Sequence, residues 1–544
     1  MDVLVCLVQQ AGEPLSKEKL IQAVWPDTFV TDDVLKRAIG ELRRVFEDDA
    51  REPHIIQTIP KRGYRLVAPV SAASTVRTLV TTVAKDSIAV LPFTNMSADS
   101  ENEFFADGIT EEIINALAQI KELRIAARSS AFTFKEKPID ARVVGERLNV
   151  RTVLEGSVRQ AGSRLRITAQ LISAADGYHL WSERYDREMK DIFEVQDEIA
   201  RTIAERLKVT LKEVGQEPLV KAGTKNLEAY QAYIKGRALL YRRGAGLSRA
   251  LEFLRLAVSL DPQYAQAWAD AADAYVMLAY YGFGRPNPLL AKAKEAAVRA
   301  VALDPNLAAG HNALAGAYAL ADWDWSKSEG EFKRAIELDP RSILARTRYA
   351  LWCVLPVSSR FEEAITQVKE AAEMDPLSDY AATILAFTYF VAGKSRESLQ
   401  IAQHAMELEP ESFLARLSLG LALHSQTRYD EAVTVIEAGL ALSGRHPMFL
   451  ALLVVTLADA GKLQEAKLVH AEFLARSARE YLSPFLLALS AAATGDQEAA
   501  IELAQKAYEI HDTQLTIFGK YWPGSKRLRA DRRFEKILAA MGLK

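Results

Sequence analysis

Ser259-Leu260-Asp261-Pro262 is the first of five closely similar phrases, SLDP, ALDP, ELDP, EMDP and ELEP, whose prolines are Pro262, Pro305, Pro340, Pro376 and Pro410. Those prolines are spaced 43, 35, 36 and 34 residues apart. Each follows an amphipathic helical pattern that it cannot continue, because it lacks an N–H and its ring clashes with the preceding turn. It therefore ends one unit and opens the next. Within a unit, small or aromatic residues at helical spacing precede a Gly or polar turn and then an Ala-rich helix. Examples are AWADAADAY (Ala267–Tyr275), RYDEAVTVIEAGLAL (Arg428–Leu442) and GKLQEAKLVHAEFLA (Gly461–Ala475). A fixed period of this size marks a repeat array. Each helix pair buries its Ala, Leu and Tyr only against neighbouring pairs, which predicts a superhelix with a concave groove.

Period, alanines and terminal proline resemble the tetratricopeptide repeat (TPR). The resemblance covers about eight units from Leu227 to Ile510, with a capping helix near Asp531–Met541. It implies an all-α TPR superhelix over residues 227–544 whose groove takes a partner protein or peptide. Trp268, Tyr275, Tyr318, Tyr349 and Tyr389 fall where such packing needs bulky residues, so they read as core before they read as ligand contacts. Asp322, Trp323, Asp324 and Trp325 form a denser cluster in a turn. Two acids interleaved with two tryptophans suit a cationic partner; a turn with buried tryptophans is the plainer alternative.

The 544 residues are 49% hydrophobic and 26% charged, which excludes disordered and collagen-like classes. At about 100–200 residues per domain, that length holds several domains. Formal charge is −3, from 68 Lys+Arg against 71 Asp+Glu, so any nucleic-acid surface has to be local. Cys6 and Cys353 cannot build a disulfide framework and fit a reducing cytoplasm. The eight histidines form no His-x-x-x-His pair and adjoin no cysteine cluster, so no metal site is expected. A spanning helix needs about 20 mostly apolar residues. Val76–Val90 is broken by Arg77, Lys85 and Asp86, and the run Phe449–Leu457 is too short, so no membrane partner is expected. The opening MDVLVCLVQQAG lacks the basic region and cleavage site of a signal peptide. The expected location is the cytoplasm.

Ahead of residue 70, three short helices precede two strands. Asp2–Gln10 sets Val3, Leu4, Leu7 and Val8 on one stripe, and Gly12 stops it; Ser16 opens Lys17–Val24, which ends before Pro26. A third helix follows Thr31, with Leu35, Ala38, Ile39, Leu42, Val45 and Phe46 as its apolar stripe. Arg37, Glu41 and Arg44 lie opposite that stripe, Lys36 and Arg43 flank them, and Gly40 leaves the backbone open. Strand His54–Thr58, turn Ile59–Gly63 and strand Tyr64–Val67 make a hairpin tipped by Lys61, Arg62 and Gly63. Three helices and a hairpin describe the second half of a winged helix.

The string AVWPDTFVTDDVLKRAIGELRRVFEDDAREPHIIQTIPKRGYRLVAPV resembles the OmpR/PhoB-type DNA-binding domain of bacterial transcriptional regulators, with IPKRGYRL its most diagnostic piece. The resemblance covers about 70 residues. It implies that the third helix enters the major groove of double-stranded DNA while the wing touches the minor groove or backbone. It makes Lys36, Arg37, Arg43 and Arg44 groove and phosphate contacts, and it puts Lys61, Arg62 and Tyr64 at the wing. Arginine suits both roles, since its fork pairs bidentately with guanine and its charge neutralises phosphate. A solvated charged face is the bland alternative. Residues 1–70 hold 10 Lys+Arg and 11 Asp+Glu, so non-specific attraction is modest. The family domain opens with a small antiparallel sheet, whereas this sequence starts inside the first helix, as a partial winged helix missing part of the packing surface for Leu4 and Leu7. A shortened reading frame is the expectation; decay into a docking or vestigial module is the alternative.

Ser71–Thr82 is small, polar and patternless, and 71–86 reads as a linker; 214–226, with Gly and Pro, reads as a second. Between them, residues 87–213 alternate strand and helix. SIAVLPF (Ser87–Phe93) and Leu123–Ala127 read as strands, Glu103–Gln119 and Ala141–Leu148 as helices, and Thr152–Gln160 with Arg164–Ser173 as a strand pair turning at Ala161–Gly162. His179–Asp186 is a further strand and Ile192–Leu211 a closing helix, which makes an α/β domain with a mixed sheet. SIAVLPFTNMSADSENEFFADGITEEI, VLEGSVRQAGSRLRITAQLISAADGYHLWSERYDRE and DIFEVQDEIA resemble the TolB-like N-terminal domain. Asp107, Glu111 and Glu112 read as first-turn carboxylates favoured by the helix macrodipole. Arg128, Ser129 and Ser130 follow a strand, where loops meet ligands. His179 and Trp181 alternate with Leu180 on one sheet face. No Walker, GxSxG, HExxH or GxGxxG motif stands in a supporting context, so neither catalytic residues nor cofactors are expected.

The sequence thus reads as a multidomain, non-enzymatic bacterial transcriptional regulator: partial winged helix, TolB-like α/β domain and TPR superhelix. Half-site recognition calls for a homodimer. One alternative is an interaction scaffold whose incomplete winged helix no longer binds DNA. Another is a nucleotide-handling accessory, because the resemblance implies that TolB-like and TPR tails also follow cyclase domains.

Overall fold

The computed structural model describes residues 2–9, 12–24, 30–46, 48–49, 53–60, 62–68, 86–97, 99, 102–120, 122–135, 139–207, 223–242, 246–357 and 360–543. Lys61, nearly all of the first expected linker and residues 214–222 of the second lie outside the described residues. The chain forms two compact units, Met1–Thr82 and Val83–Lys544.

In the first unit α1 (Asp2–Gln9), α2 (Lys17–Val24) and α3 (Asp32–Phe46) lead into β1 (Ile56–Ile59) and β2 (Gly63–Leu66), an antiparallel hairpin with Ile59 opposite Gly63. Helical periodicity explains the core. Val3 and Leu7 of α1, Leu20 of α2, and Leu35 and Ile39 of α3 form one cluster with Leu15, Ile56, Tyr64 and Leu66. Leu7, expected to lose packing surface, is fully buried; Leu4 is half-buried. The Leu15 N–H donates to the Tyr64 carbonyl (2.8 Å) and the Tyr64 N–H donates back (3.0 Å), which lays the segment before α2 against the hairpin. That close approach requires glycine at position 63. Its φ is +126°, and a Cβ there would collide with the Leu15 carbonyl.

The second unit opens with the expected mixed sheet. Its strands are β3 (Ser87–Val90), β4 (Thr94–Asn95), β5 (Arg124–Ile125), β6 (Thr152–Ala161), β7 (Arg164–Ser173) and β8 (His179–Glu188). The order is β5-β3-β6-β7-β8, with β4 also on β6; β3 runs parallel to β5 and β6, and β6-β7-β8 is antiparallel. The β6-β7 turn falls at Gly162, with φ +59°. Helices α4 (Asn102–Ala118), α5 (Arg128–Phe132), α6 (Ala141–Leu148) and α7 (Ile192–Arg206) complete this part. Asp140 caps α6 by accepting the Arg142 N–H (2.9 Å).

Among the described residues eight helix pairs follow. They are α8 (Leu227–Arg242) with α9 (Leu247–Leu260), α10 (Ala265–Tyr280) with α11 (Pro286–Leu303), and α12 (Ala308–Ala317) with α13 (Trp325–Leu338). Next come α14 (Ile343–Arg348) and its continuation α15 (Leu355–Val357) with α16 (Phe361–Met374), α17 (Asp379–Val391) with α18 (Ser395–Leu408), and α19 (Phe413–Ser425) with α20 (Tyr429–Leu442). The last pairs are α21 (Pro447–Asp459) with α22 (Leu463–Ser477) and α23 (Pro484–Thr494) with α24 (Gln497–Glu509). Each punctuating proline stands just after a second helix. π-helical turns extend α12 through Tyr318–Asp322 and α14 through Tyr349–Val354.

Three short helices end the chain: α25 (Thr513–Phe518), α26 (Ser525–Arg529) and α27 (Arg532–Ala540), the last at the expected capping position. All six residues of α25 are buried. The Thr513 hydroxyl donates to the Ala279 carbonyl (3.2 Å) and the Gln514 amide to that of Tyr280, both on α10. Phe518 packs on Tyr280 of α10 and Phe387 of α17, and Gly524 reaches Val455 of α21 and Leu489 of α23. Residues 512–543 therefore pack on the first helices of several units. Those helices show it in composition: α21 and α23 are apolar all round rather than striped, as befits helices covered on every side.

Candidate nucleic-acid interface

Position on α3 decides what each expected contact residue can do. Arg37 and Arg44 are both exposed and seven residues apart, so they share a face two turns long, about 10 Å at 1.5 Å per residue. Among the described residues neither has a hydrogen bond or ion pair. Gly40 lies between them on the helix, exposed, with nothing within 4 Å of where a Cβ would be. An exposed mid-helix glycine costs about 0.5–1 kcal/mol relative to alanine, and no neighbour accounts for it. The open backbone lets a ligand approach closely between the two arginines. Lys36 is exposed and bridges to Asp33 (2.9 Å), while Lys17 ties the start of α3 by holding Asp32 (2.6 Å). Glu41 is exposed on the same face.

Two expected contacts have other work. Arg43 is half-buried and turns toward the hairpin, where its guanidinium donates to the Ile56 carbonyl (2.8 Å) and the Thr58 hydroxyl (2.9 Å). It positions β1 against α3. Tyr64 is 6% exposed and belongs to the core cluster, its backbone bridged to Leu15. Arg62 is exposed at the wing tip, with its N–H donating to the Ile59 carbonyl (3.0 Å).

Sequence reading passed over Asp48, which fastens the connection from α3 to the wing. Its carboxylate accepts the backbone N–H groups of His54 (2.7 Å), Ile55 (3.0 Å) and Ile56 (2.9 Å), and the residue is 9% exposed. Burial opposes the charge, but these three amides, helped by Arg43, hold the carboxyl below its ordinary range. An acid six residues before a strand gave the only available signal.

Residues 1–66 match the family model described as "Transcriptional regulatory protein, C terminal". The front of the chain is a regulator-type winged-helix domain. Residues 84–202 match "HilA/YgeH-like transcriptional regulator, second domain", a different description from the TolB-like one expected. The chain is 24% identical to the transcriptional regulator HilA of Salmonella typhimurium over 552 aligned residues, 97% of this chain and 92% of that protein. It is 47% identical over 187 residues to "Putative adenylate cyclase 3" of Rhizobium meliloti; the match takes in 34% of this chain and spans about a third (32%) of the cyclase. Among solved structures, YrrB, a TPR protein with an unusual peptide-binding site, aligns at 21% identity and a TM-score of 0.23, over 34% of this chain and 89% of that one. The winged-helix domain is thus followed by an α/β module that matches a regulator family model and then by the helix pairs described above.

Behind the winged-helix domain, the carboxylates singled out in the α/β module make a structural joint. α4 begins at Asn102, so Asp107 and Glu111 lie beyond its first turn, and the macrodipole does not explain them. Asp107 pairs with Lys135 (2.7 Å). Glu111 receives Arg128 (3.0 Å) and Arg237 of α8 (2.7 Å), and Arg237 also faces Glu112 (3.9 Å) and Asp270 of α10 (3.8 Å). Burial pushes Glu112 and Asp270 each up to about 7 against the pull of Arg237. Arg128 stacks on Phe132 and Tyr241, 4.0 and 4.4 Å from their ring centres. The Ser129 and Ser130 hydroxyls donate to Asp375, the acid of the EMDP phrase, and the Ser130 N–H does so at 3.1 Å. These residues open helix α5 rather than a loop, and what they meet is the repeat array.

The remaining candidates resolve similarly. His179 is exposed and Trp181 buried, with a bulge between them in the β7-β8 register. Trp323 stacks on His511 (4.0 Å) and its indole N–H donates to Thr516 (3.1 Å), while Trp325 donates to the Met541 carbonyl (2.7 Å). Asp322 and Asp324 are held by Lys294 (2.5 Å) and Lys327 (2.8 Å). Tyr275 and Tyr349 are buried, and Trp268, Tyr318 and Tyr389 half-buried. Among the described residues no group of three or more His, Cys, Asp or Glu is placed to hold a metal, and no helix is long and apolar enough to cross a membrane.

Proposed function

We propose that this protein is a cytoplasmic, non-enzymatic transcriptional regulator that reads double-stranded DNA as a homodimer. α3 enters the major groove, Arg37 and Arg44 reach base edges or phosphates, and Lys36, Lys61 and Arg62 neutralise the backbone. One observation carries the reading: two exposed arginines on one helical face, neither with a hydrogen bond or ion pair among the described residues, and a bare glycine between them. Their separation of about 10 Å corresponds to about three base pairs at 3.4 Å per step. HilA, a transcriptional regulator by name, is similar over almost the whole chain, which supports the same role. A protein partner would use faces of the array other than the one that residues 512–543 cover.

The test is fluorescence anisotropy with DNA from the regulator's own promoter region, at several salt concentrations. Arg37→Ala and Arg44→Ala should each weaken binding by about 1–3 kcal/mol for a lost base contact, or lower the salt slope by about one for a lost phosphate contact. Unchanged affinity and slope in both variants would remove this face from the interface. The similarity to a named cyclase is met by assaying nucleotide turnover, where none is expected.

A further inference from the structure

Away from α3, one cavity of about 780 Å³ opens where the ends of α19 and α21 meet the chain around α26. Its walls carry His424, Asp459, Lys520, Lys526, Arg527 and Arg529. Among the described residues two carboxylates, Asp459 and Glu535, bridge to these cations. Arg527 bridges to Asp459, which His424 also approaches (3.3 Å), and Arg529 bridges to Glu535 (2.9 Å). Lys526 is exposed and has no ion pair among the described residues. Lys520 is half-buried beside them, with its ammonium directed toward the Pro356 carbonyl (3.4 Å). Burial, followed by the nearby charge of Arg529 and opposed by Glu535, lowers its pKa.

We infer that this cavity binds a small phosphorylated molecule through Lys520, Lys526, Arg527 and Arg529. Ammonium and guanidinium groups offer donors only, so the complement is a compact ligand rich in acceptor oxygens. Guanidinium forks match phosphate oxygens bidentately, and a concave wall concentrates the field of like charges. The volume falls within the range of about 300–1,000 Å³ usual for small-ligand sites. All four cations come from one ten-residue stretch around a single depression, which suits a compact anion better than an extended acidic peptide. The binding stretch belongs to the C-terminal segment, while His424 and Asp459 belong to the sixth and seventh helix pairs. A bound dianion would therefore strengthen the attachment of that segment to the array.

The experiment is isothermal titration of the full chain with inorganic pyrophosphate at constant ionic strength set by sodium chloride. Saturable binding is expected with Kd below about 1 mM, equivalent to about −4 kcal/mol. The double variant Lys526→Ala/Arg529→Ala, which changes two exposed side chains, should raise Kd at least tenfold, and Lys526→Glu should act in the same direction. Arg37→Ala/Arg44→Ala should leave Kd unchanged, which separates this site from the DNA-reading face. The proposal is overturned by absence of saturable heat, by an unchanged Kd in the two cavity variants, or by loss of binding in the α3 variant. Displacement of pyrophosphate by a pentaglutamate peptide of higher affinity would overturn it too, assigning the cavity to an acidic peptide.

Discussion

Replacing Asp48 by alanine would detach the wing from α3 without touching any exposed cation. The variant removes the acceptor of three amides, of which that of Ile56 is buried and those of His54 and Ile55 are partly so. A hydrogen bond to a charged group contributes about 1.5–3 kcal/mol, and an orphaned buried donor costs about 1–3 kcal/mol. Counting the buried amide in full and the two partly wet ones at half gives about 3–6 kcal/mol. A unit of this size has a total stability of only about 4–10 kcal/mol at 0.05–0.15 kcal/mol per residue, so the loss is a large fraction. Hydrogen exchange read by mass spectrometry on full-length protein is the assay. Amides of β1 and β2 should lose about two to four orders of magnitude of protection in Asp48→Ala, at about 1.4 kcal/mol per factor of ten. Asp48→Asn, which keeps one acceptor oxygen, should lose about half as much on the logarithmic scale. Acidity supplies a second arm. Because the folded carboxyl titrates below its unfolded value, its stabilisation is complete above the unfolded pKa of about 3.9 and disappears as pH falls through the folded one. The alanine variant should lack that acid-dependent loss. Equal protection in wild type and Asp48→Ala would refute the assignment.

Two further substitutions separate structural from functional charges. Arg43→Ala should lower the stability of the winged-helix domain by about 1–3 kcal/mol through the loss of its bonds to Ile56 and Thr58, seen as a loss of hydrogen-exchange protection in the hairpin. Arg44→Ala, one residue along, should leave that protection unchanged. Asp375→Ala, which orphans the Ser129 and Ser130 hydroxyls, should weaken the joint between the α/β module and the array by about 2–4 kcal/mol. Hydrogen-exchange protection of Arg128–Phe132 should then fall below that of wild type; unchanged protection would count against the joint.

Local pattern made some of this legible and distance hid the rest. The apolar stripe of α3, the β6-β7 turn at Gly162 and the five proline phrases each involve residues a few positions apart, where period and turn chemistry act directly. Arg37 and Arg44 could be placed on the open face for the same reason. Arg43 and Tyr64 could not, since their roles depend on Ile56, Thr58 and Leu15, which other elements bring alongside. Glu111 stands two turns past the helix start expected at Glu103, so the first-turn reading did not fit it, and Arg237, its true partner, lies 126 positions later in the chain. Asp375 looked like one more turn residue of the repeat. Only the fold shows that Ser129 and Ser130 claim it.

The burial of Thr513–Phe518 against helices more than two hundred positions earlier changes how the array should come apart. An open solenoid stabilises each repeat through its immediate neighbours and can fray from either end. Here the last thirty or so residues knit early and late repeats together, so melting should be a single concerted event. Synthesis runs the other way: until those residues leave the ribosome, the nascent array presents a bare greasy inner wall, and a premature stop shortly before them should yield an aggregating product rather than a shorter working one.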